Sequence, residues 1–363
     1  MSVLFFPYRS LLISCFPCER KSCMDCRSST KLQIPIQKNF QLIYTRQNQF
    51  SPHSQLQRDL AASTLIPDWM QSGFPVGIQP SLGQVSVPEF ARYRIQACGC
   101  TDAGSIRENN EDYFAISSLS EGILWDRNDS HSFLSGRYGS LFTVADGMGG
   151  AAGGDVASRL AVQTLYRELV HHVRRRRDPD EFDMEQLLTQ GVGVCNTEIY
   201  QTGRQNRKLR GMGTTLTVLF ELNGLLVSGQ IGDSRAYLLR PDGIWQVTRD
   251  QSLVAQLVSR GQMTEEAARH HPERNVLLQA MGVEPRVELA LHRLLLYPRD
   301  VYLLCSDGLH SQLRDDEIFE VVADSSSQMG ACEELIDLAN RRGGPDNITV
   351  LLVQFIPEDN GPR

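Results

Sequence analysis

The sequence predicts a packed domain of α-helices and β-strands from about residue 91 onward. Apolar runs rich in β-branched residues predict strands, and apolar residues at helical spacing predict two long helices. Aspartates beside Gly or Asn mark the points at which several strands end. The strand-like runs are 141–145, 214–220, 301–304 and 348–353, and the helical stretches are 156–174 and 184–201.

Residues 1–90 precede this domain and differ in composition. They are rich in Gln, Ser, Pro and Arg without sustained periodicity, which predicts an irregular N-terminal extension. Two Cys-x-x-Cys pairs fall here, formed by Cys15 with Cys18 and by Cys23 with Cys26. This spacing allows two pairs of thiolates to bind one tetrahedral Zn²⁺. Only four residues separate the pairs, so a zinc site and unrelated cysteines in an irregular tail both stay open.

Length and charge exclude several classes of protein. With 363 residues, 41% hydrophobic and 22% charged, the chain is neither wholly disordered nor fibrous. The 36 basic and 43 acidic side chains give a net charge of -7, which excludes a global basic field for nucleic acid or an anionic membrane. No uninterrupted apolar run approaches the roughly 18 residues of a membrane-spanning helix. Because the chain has no global basic field, any recognition of phosphate must depend on a local group of residues.

The other cysteines lie in or beside apolar segments without regular spacing. They are Cys98, Cys100, Cys195, Cys305 and Cys332. Such positions are typical of reduced thiols in the core of an intracellular protein and not of a disulfide framework. We therefore expect a cytoplasmic location.

Carboxylates at strand ends are the informative chemical feature. They are Asp112, Asp146 before Gly147, Asp307 before Gly308, and Asp346 before Asn347. Each one alone is typical of a turn or a helix cap. Together they indicate a cation, because clustered carboxylates are hard to keep ionised without one. Oxygen ligands select hard metals such as Mg²⁺ or Mn²⁺ over zinc.

Six segments resemble, in order and approximate spacing, the motifs of the metal-dependent type 2C serine/threonine protein phosphatases in their compact bacterial form. The segments are 101–112, 144–150, 211–215, 232–235, 306–308 and 344–349. The resemblance covers about residues 91–356 and places a catalytic domain at 91–358. It implies an α+β fold, a sandwich of two antiparallel β-sheets flanked by helices on both outer faces.

The resemblance also implies a binuclear centre of Mn²⁺ or Mg²⁺ with a weaker third ion. Its ligands would be carboxylates and one carbonyl: Asp146 bridging both ions, the Gly147 carbonyl, Asp307 and Asp346 on one ion, Asp112 on the side of the second, and Glu111 through a water. A water activated by the metals would then attack phosphorus in line.

Arg107 is the candidate clamp for the substrate phosphate. A guanidinium presents two parallel donors to a phosphate dianion, and the family position of Arg107 matches this role. The alternative is a surface arginine paired with Glu108 or Glu111.

Asp233 lies in the Gly-Asp-Ser-Arg segment, where bacterial relatives use the aspartate, together with the equivalent of Asp307, to hold the third ion. The alternative is a tight turn between strands 225–231 and 235–239. We interpret another motif segment as structural, because it permits close packing into the following strand. Its residues are Gly211, Gly213, Thr214 and Thr215.

The sequence departs from the family at one catalytic position. Members with His directly after the bridging Asp-Gly can use it as general acid, but here the residue is Met148. A metal-bound water, or a histidine such as His270 or His271, would have to replace it. These histidines lie in segment 250–282, which resembles the family's flap beside the active site and suits a movable lid.

The sequence therefore predicts an enzyme that hydrolyses phosphoserine and phosphothreonine on proteins. Its partners would be phosphorylated proteins and the serine/threonine kinases it opposes. Two alternatives stay open: a phosphatase of an anti-sigma antagonist, and a pseudophosphatase that binds phosphoproteins without turnover. The first would be expected to carry fused sensor domains, and the second to have lost a metal aspartate.

Overall fold

A computed structural model describes residues 93–149, 153–175 and 183–358. The candidate zinc ligands Cys15, Cys18, Cys23 and Cys26 lie outside the described residues, with the rest of the extension 1–90. Within the described ranges, no helix has the length and apolar character needed to cross a membrane. Strands and helices are numbered below along the chain.

Six antiparallel strands form the first sheet. They are β1 (Tyr93–Asp102), β4 (Asp129–Leu134), β10 (Arg235–Arg240), β11 (Gly243–Gln246), β13 (Val301–Cys305) and β14 (Ile348–Pro357), in the order β11-β10-β13-β14-β1-β4. β1 and β14 pair from Tyr93 opposite Pro357 to Asp102 opposite Ile348. The loops that follow β1 and precede β14 are therefore neighbours at one end of the sheet.

Six more antiparallel strands form the second sheet. They are β2 (Tyr113–Ser118), β3 (Ile123–Trp125), β5 (Ser140–Ala145), β8 (Leu216–Leu222), β9 (Leu225–Ile231) and β12 (Ala290–Leu295), in the order β12-β9-β8-β5-β2-β3. A two-stranded ribbon joins β6 (Gly147–Met148) to β7 (Gly213–Thr214). Every residue of β2, β5 and β8 is buried. This explains why these strands are mostly apolar, since both of their faces are covered.

Seven helices are present within the described residues, and the four longest cover the outer faces of the two sheets or lie close to them. The seven are α1 (Gly154–Arg175), α2 (Met184–Gln205), α3 (Leu253–Ser259), α4 (Glu265–Arg269), α5 (Asp307–His310), α6 (Asp315–Asp324) and α7 (Gln328–Arg341), with a 3-10 turn at Arg207–Leu209. α1 and α2 pack on the second sheet, with Leu165 and Leu188 in one cluster with Phe220. α6 and α7 pack on the first sheet. Between the sheets, the rings of Phe142 and Phe355 meet edge to face at 6.0 Å.

The predicted sandwich is confirmed, with helices on both outer faces. The predicted helices and strands are present, with bounds shifted by a few residues. The predicted strand 214–220 differs, because it is divided between β7 and β8 at Thr215. The Thr215 N–H donates to the Asp146 carbonyl (2.9 Å), and the Asp146 N–H donates to the Thr215 hydroxyl (2.9 Å).

Glu221, near the end of β8, is a buried acid away from the aspartates. Its side chain is 1% exposed, and Oε2 has no hydrogen-bond partner within the described ranges. The Gly224 N–H donates to Oε1 at 3.4 Å. Burial raises the pKa of Glu221 to about 7.

We expect Glu221→Gln to stabilise the protein above pH 7 and to have little effect near pH 4.5. The folded state holds the Glu221 proton more tightly than the unfolded state, so the wild type loses stability as the pH rises from about 4.5 to about 7. The neutral amide avoids this loss, which is up to about 3 kcal/mol in the free energy of unfolding. Urea unfolding at pH 5 and pH 8 measures the difference. Glu334→Gln, at an exposed position on α7, is the control. If Glu221→Gln raised the free energy of unfolding equally at both pH values, the effect would not come from the buried charge.

Candidate active site

Five aspartates from separate loops meet at one end of the sandwich. Burial raises the pKa of Asp146 well above its usual range, and the charges of four other aspartates raise it further. These four are Asp112, Asp307, Asp346 and Asp233. The loops come from both sheets, because Asp146 follows β5, Asp307 follows β13 and Asp346 precedes β14. The structure thus brings together all of the aspartates that the sequence singled out.

Asp112 is the most enclosed of these carboxylates, with 7% of the residue exposed. Ser306 Oγ and Thr349 Oγ1 each donate to its Oδ2 at 2.7 Å. Its Oδ1 is buried without a hydrogen-bond partner in the described part of the chain. Burial raises the pKa of Asp112 to about 7, although the two hydroxyl donors lower it. The sequence analysis gave Ser306 and Thr349 no role, but both lie inside recognised motif segments.

Asp146 is held through its backbone. Its carbonyl accepts hydrogen bonds from Thr214 Oγ1 (2.8 Å) and from the Thr215 N–H (2.9 Å). The sequence analysis assigned this threonine pair to packing. The structure shows in addition that the pair holds the backbone of Asp146 in position.

Gly147 and Gly104 allow three loops to approach one another. A Cβ on Gly147 would lie 2.1 Å from the carbonyl oxygen of Gly154 and 2.4 Å from that of Glu111. Gly104 has a φ of +77°, and a Cβ there would lie 2.1 Å from the Asp346 carbonyl oxygen. Any larger residue would push the loops apart, so glycine is required at both positions.

Asp307 opens α5 and has one oxygen without a partner. Its Oδ1 is buried and accepts no hydrogen bond within the described ranges. Burial is the main cause that raises the pKa of Asp307 to about 6, and repulsion from Asp346 is the second. The charges of Arg107 and Arg274 lower this pKa. Arg274 lies in segment 250–282, so a positive charge from that segment reaches the carboxylates.

Asn347 fastens the loop between β1 and β2 next to Asp346. Its Nδ2 donates to the carbonyls of Ala103 and Asn109 at 2.9 Å each, and its Oδ1 accepts from the Glu111 N–H at 2.8 Å. One amide side chain therefore holds three points of the loop that carries Arg107 and Asp112. The sequence named Asn347 only as a turn residue.

Arg107 reaches into the aspartate group. Its Nη2 donates to Asp346 Oδ2 at 2.7 Å, and the side chain remains 41% exposed. Desolvation lowers the pKa of Arg107, but the charges of Asp346, Glu111 and Asp146 outweigh it. The alternative of a surface arginine paired only with Glu108 or Glu111 does not match this geometry. The guanidinium is exposed on one side and lies beside the carboxylates on the other.

Asp233 forms the turn between β9 and β10, as the turn interpretation predicted, and is 8% exposed. His310 Nε2 lies 3.0 Å from the Asp233 carbonyl oxygen, which can only accept, so the ring must donate from Nε2. Burial lowers the pKa of His310 to about 3. Arg235, two residues after Asp233, forms a two-pronged ion pair with Asp250 at 2.7 to 3.1 Å. These contacts hold the turn on both sides of Asp233. A third-ion role for Asp233 stays a prediction.

Met148 stands at the position of the family's general acid, and His270 and His271 are the histidines considered in its place. Met148 lies on β6 and has no ionisable group. His270 is 79% exposed in its side chain and pairs with Glu266 at 3.3 Å. His271 Nδ1 accepts from the Glu273 N–H at 3.2 Å. His270 thus occupies a surface position directly after α4.

Segment 250–282 borders the site. The Gln251 N–H donates to the Gly232 carbonyl at 2.9 Å, and Arg269 Nη1 donates to the His310 carbonyl at 3.3 Å. These contacts fix the segment beside the turn that carries Asp233. Movement of this segment as a lid stays a prediction.

The donors present fit hard divalent cations. The group is made of oxygen ligands, two buried carboxylate oxygens have no partner within the described ranges, and the aspartates raise one another's pKa. A bound cation would neutralise this repulsion and satisfy the free oxygens. Its ligands would come from Asp112, Asp146, Asp307, Asp346 and Asp233, with Gly147 as the carbonyl donor.

Comparison with known proteins places this geometry in context. Residues 119–340 match the family described as Protein phosphatase 2C. The serine/threonine phosphatase Stp of Listeria innocua is 35% identical over 257 residues, which cover 70% of this chain and 93% of Stp. The crystal structure of the Mycobacterium tuberculosis serine/threonine phosphatase PstP/Ppp superposes with a TM-score of 0.60 at 32% identity, covering 73% of this chain and 100% of that one. The PstP catalytic domain in complex with two manganese ions matches with a TM-score of 0.58 at 32% identity, over 73% of this chain and 99% of that one.

Proposed function

The chain belongs to the protein phosphatase 2C family, and we propose that it removes phosphate from phosphoserine and phosphothreonine of proteins at the group of five aspartates. The observation that carries the proposal is this buried carboxylate group with Arg107 at its exposed side. The cofactor is a pair of Mn²⁺ or Mg²⁺ ions, consistent with the manganese complex of the related PstP domain.

We assign the metal ligands as the sequence predicts. Asp146 would contact both ions, and the other ligands would be the Gly147 carbonyl, Asp307, Asp346 and Asp112, with Glu111 acting through water and Asp233 at a weaker third ion. Two such ions would supply Lewis acidity, which would acidify a water molecule and offset the charge of the phosphoryl group. The buried Thr215 hydroxyl holds the backbone of Asp146, and the buried Ser306 hydroxyl holds the carboxylate of Asp112, so both residues are kept in place for this role.

Arg107 binds and orients the substrate phosphate. Its fork of N–H donors matches two phosphoryl oxygens, and it already lies within hydrogen-bond distance of Asp346. The positive charge of Arg274 also acts on Asp307. We infer that these two cations draw the phosphorylated side chain toward the carboxylates.

The departing alkoxide needs a proton, and the neighbouring side chains do not supply one readily. Met148 has no acidic proton to give. His310 donates from Nε2 to the Asp233 carbonyl, and burial lowers the pKa of His310 to about 3. We infer that a water molecule near Asp233 gives the proton. The pseudophosphatase alternative is not favoured, because every aspartate of the predicted set is present and gathered in one place.

Turnover of a phosphothreonine peptide by the purified full chain tests the proposal. We expect release of phosphate that increases with Mn²⁺, stops with a chelator and returns when Mn²⁺ is restored. A matched phosphotyrosine peptide reports the selectivity. Release that continues in the presence of chelator would exclude the metal-dependent function.

We also propose that serine/threonine kinases are the opposing partners, because they produce the substrates of this reaction. A cytoplasmic site of action is supported by the cysteines at positions 98, 100, 195, 305 and 332, which are all buried and unbridged.

The catalytic domain is proposed to be residues 91–358, with segment 250–282 as its flap. Deletion of residues 1–90 should therefore leave kcat/KM for a small aryl phosphate within about twofold of the full chain, because every motif lies after residue 90. Circular dichroism confirms folding of the shortened chain before kinetics are compared. A folded but inactive product would show that the extension is part of the catalytic domain.

A further inference from the structure

Three cysteines and a methionine come together on the outer face of the first sheet, beneath α7. Cys98, Cys100 and Cys332 are buried, and their Sγ atoms all lie within 4.8 Å of one another. The Sδ of Met329 lies 3.6 Å from Cys98 Sγ and 3.4 Å from Cys100 Sγ. Four sulfur atoms therefore lie close together between β1 and α7.

The local sequence explains this convergence. Cys98 and Cys100 are two residues apart on β1, so their side chains point to the same face of the strand. Met329 and Cys332 are three residues apart on α7, so they share one face of the helix. A Cys-x-Cys strand packed against a Met-x-x-Cys helix thus forms a four-sulfur group from two elements that are far apart in sequence.

We propose that Cys98, Cys100, Cys332 and Met329 form a binding site for a soft, thiophilic monovalent cation, Cu(I). Thiolate and thioether ligands select Cu(I), whereas Mg²⁺ and Mn²⁺ require oxygen. A thioether is a poor ligand for zinc, whose protein ligands are thiolate, imidazole and carboxylate. The site is chemically separate from the aspartate group, which offers only oxygen donors.

The protonation of the cluster supports this assignment. Hydrogen bonds from Cys100 and Cys332 lower the pKa of Cys98, which favours the thiolate form that a soft cation binds. The acidic groups Asp129 and Glu333 act on Cys98 and Cys100 respectively, which favours a bound positive charge. Cu(I) would bond to the Cys98 thiolate and replace the protons of the other thiols, which leave to solvent.

Met329 gives the cluster an approach from solvent. It lies in the first turn of α7 and is half-buried, while the three cysteines are enclosed. A cation would therefore enter past the thioether. Once bound, it would connect β1 to α7 and stabilise the folded state.

Anaerobic titration of the full chain with Cu(I), in competition with a chromophoric Cu(I) chelator, tests the proposal. Cys15, Cys18, Cys23 and Cys26 are first replaced by Ser, so that the extension contributes no thiols. We expect one Cu(I) per chain, thiolate-to-copper absorption in the ultraviolet, and a higher unfolding temperature. Cys98→Ser and Cys332→Ser should weaken binding by about 100-fold or more and Met329→Leu by about tenfold. Cys195→Ser, buried beneath α1 and α2, is the matched control and should bind as the background does.

Two outcomes would overturn the proposal. One is failure of the background protein to retain Cu(I) against the chelator. The other is undiminished binding in Cys98→Ser and Cys332→Ser. If a serine variant does not fold, Cys100→Ser and the half-buried Met329→Leu give the same comparison, and unchanged affinity in both would equally exclude the site.

Discussion

Asp146→Asn is expected to abolish binding of the two ions and turnover together. A single carboxylate between two cations screens each from the other, so its neutralisation weakens both. We expect kcat to fall by about 1000-fold or more. Calorimetric titration with Mn²⁺ and single-turnover kinetics measure the two effects. The metal-free variant should unfold no earlier than the metal-free wild type, because one of the repelling charges is gone.

Asp233→Ala provides the contrast for this prediction. It should leave two ions bound while it slows turnover, because the carboxylate of Asp233 would serve only the weaker third ion. Wild-type turnover of Asp233→Ala at saturating Mn²⁺ would remove the third-ion role and leave a turn residue. Two-ion binding by Asp146→Asn would instead contradict the bridging role.

Arg107→Ala should lower kcat/KM by about 10- to 1000-fold, mainly through a higher KM, because the variant loses both donors to the phosphate. Affinity for Mn²⁺ should not fall. Arg107 Nη2 donates to Asp346 Oδ2 at 2.7 Å and would compete with a cation for that oxygen, so its removal leaves the oxygen more available. Steady-state kinetics and calorimetry on the same preparation separate the two effects.

Arg107→Lys should recover only part of the loss, since a lysine presents a point charge and not a fork. Arg175→Ala is a matched control. α1 starts beside the site at Gly154 and has 22 residues, so Arg175 at its far end lies about 30 Å away. Wild-type kinetics for Arg107→Ala, or a drop in Mn²⁺ affinity, would show that the residue has a different role.

Local patterns predicted the strands, the long helices and the aspartates at loops, whereas the two-sheet sandwich followed from the resemblance to the type 2C phosphatases. Buried strands such as β5 and β8 are mostly apolar, and Asp146, Asp233, Asp307 and Asp346 each lie beside a Gly or Asn. The two long helices, α1 and α2, were predicted from apolar residues at helical spacing. The sequence could not assign Asp346 as the partner of Arg107, because the two residues are 239 positions apart.

Residues that hold the catalytic groups were harder to predict. Asn347 and Thr349 act through contacts across the fold, with no periodic pattern to reveal them. The cysteine cluster was interpreted as scattered core thiols for the same reason, since Cys332 is 234 positions from Cys98. Long-range contacts made by single polar or sulfur atoms do not appear in local sequence patterns.

The pairing of β1 with β14 determines when the enzyme can first become active during its synthesis. These two strands lie side by side in the first sheet, although almost the whole domain separates them along the chain. Such contacts have a high entropic cost of loop closure and make folding slow. Asp346 and Asn347 emerge from the ribosome long after Arg107 and Asp112. A nascent chain that stops short of β14 therefore has no assembled site, and its exposed β1 edge is open to non-native pairing until synthesis of the domain ends.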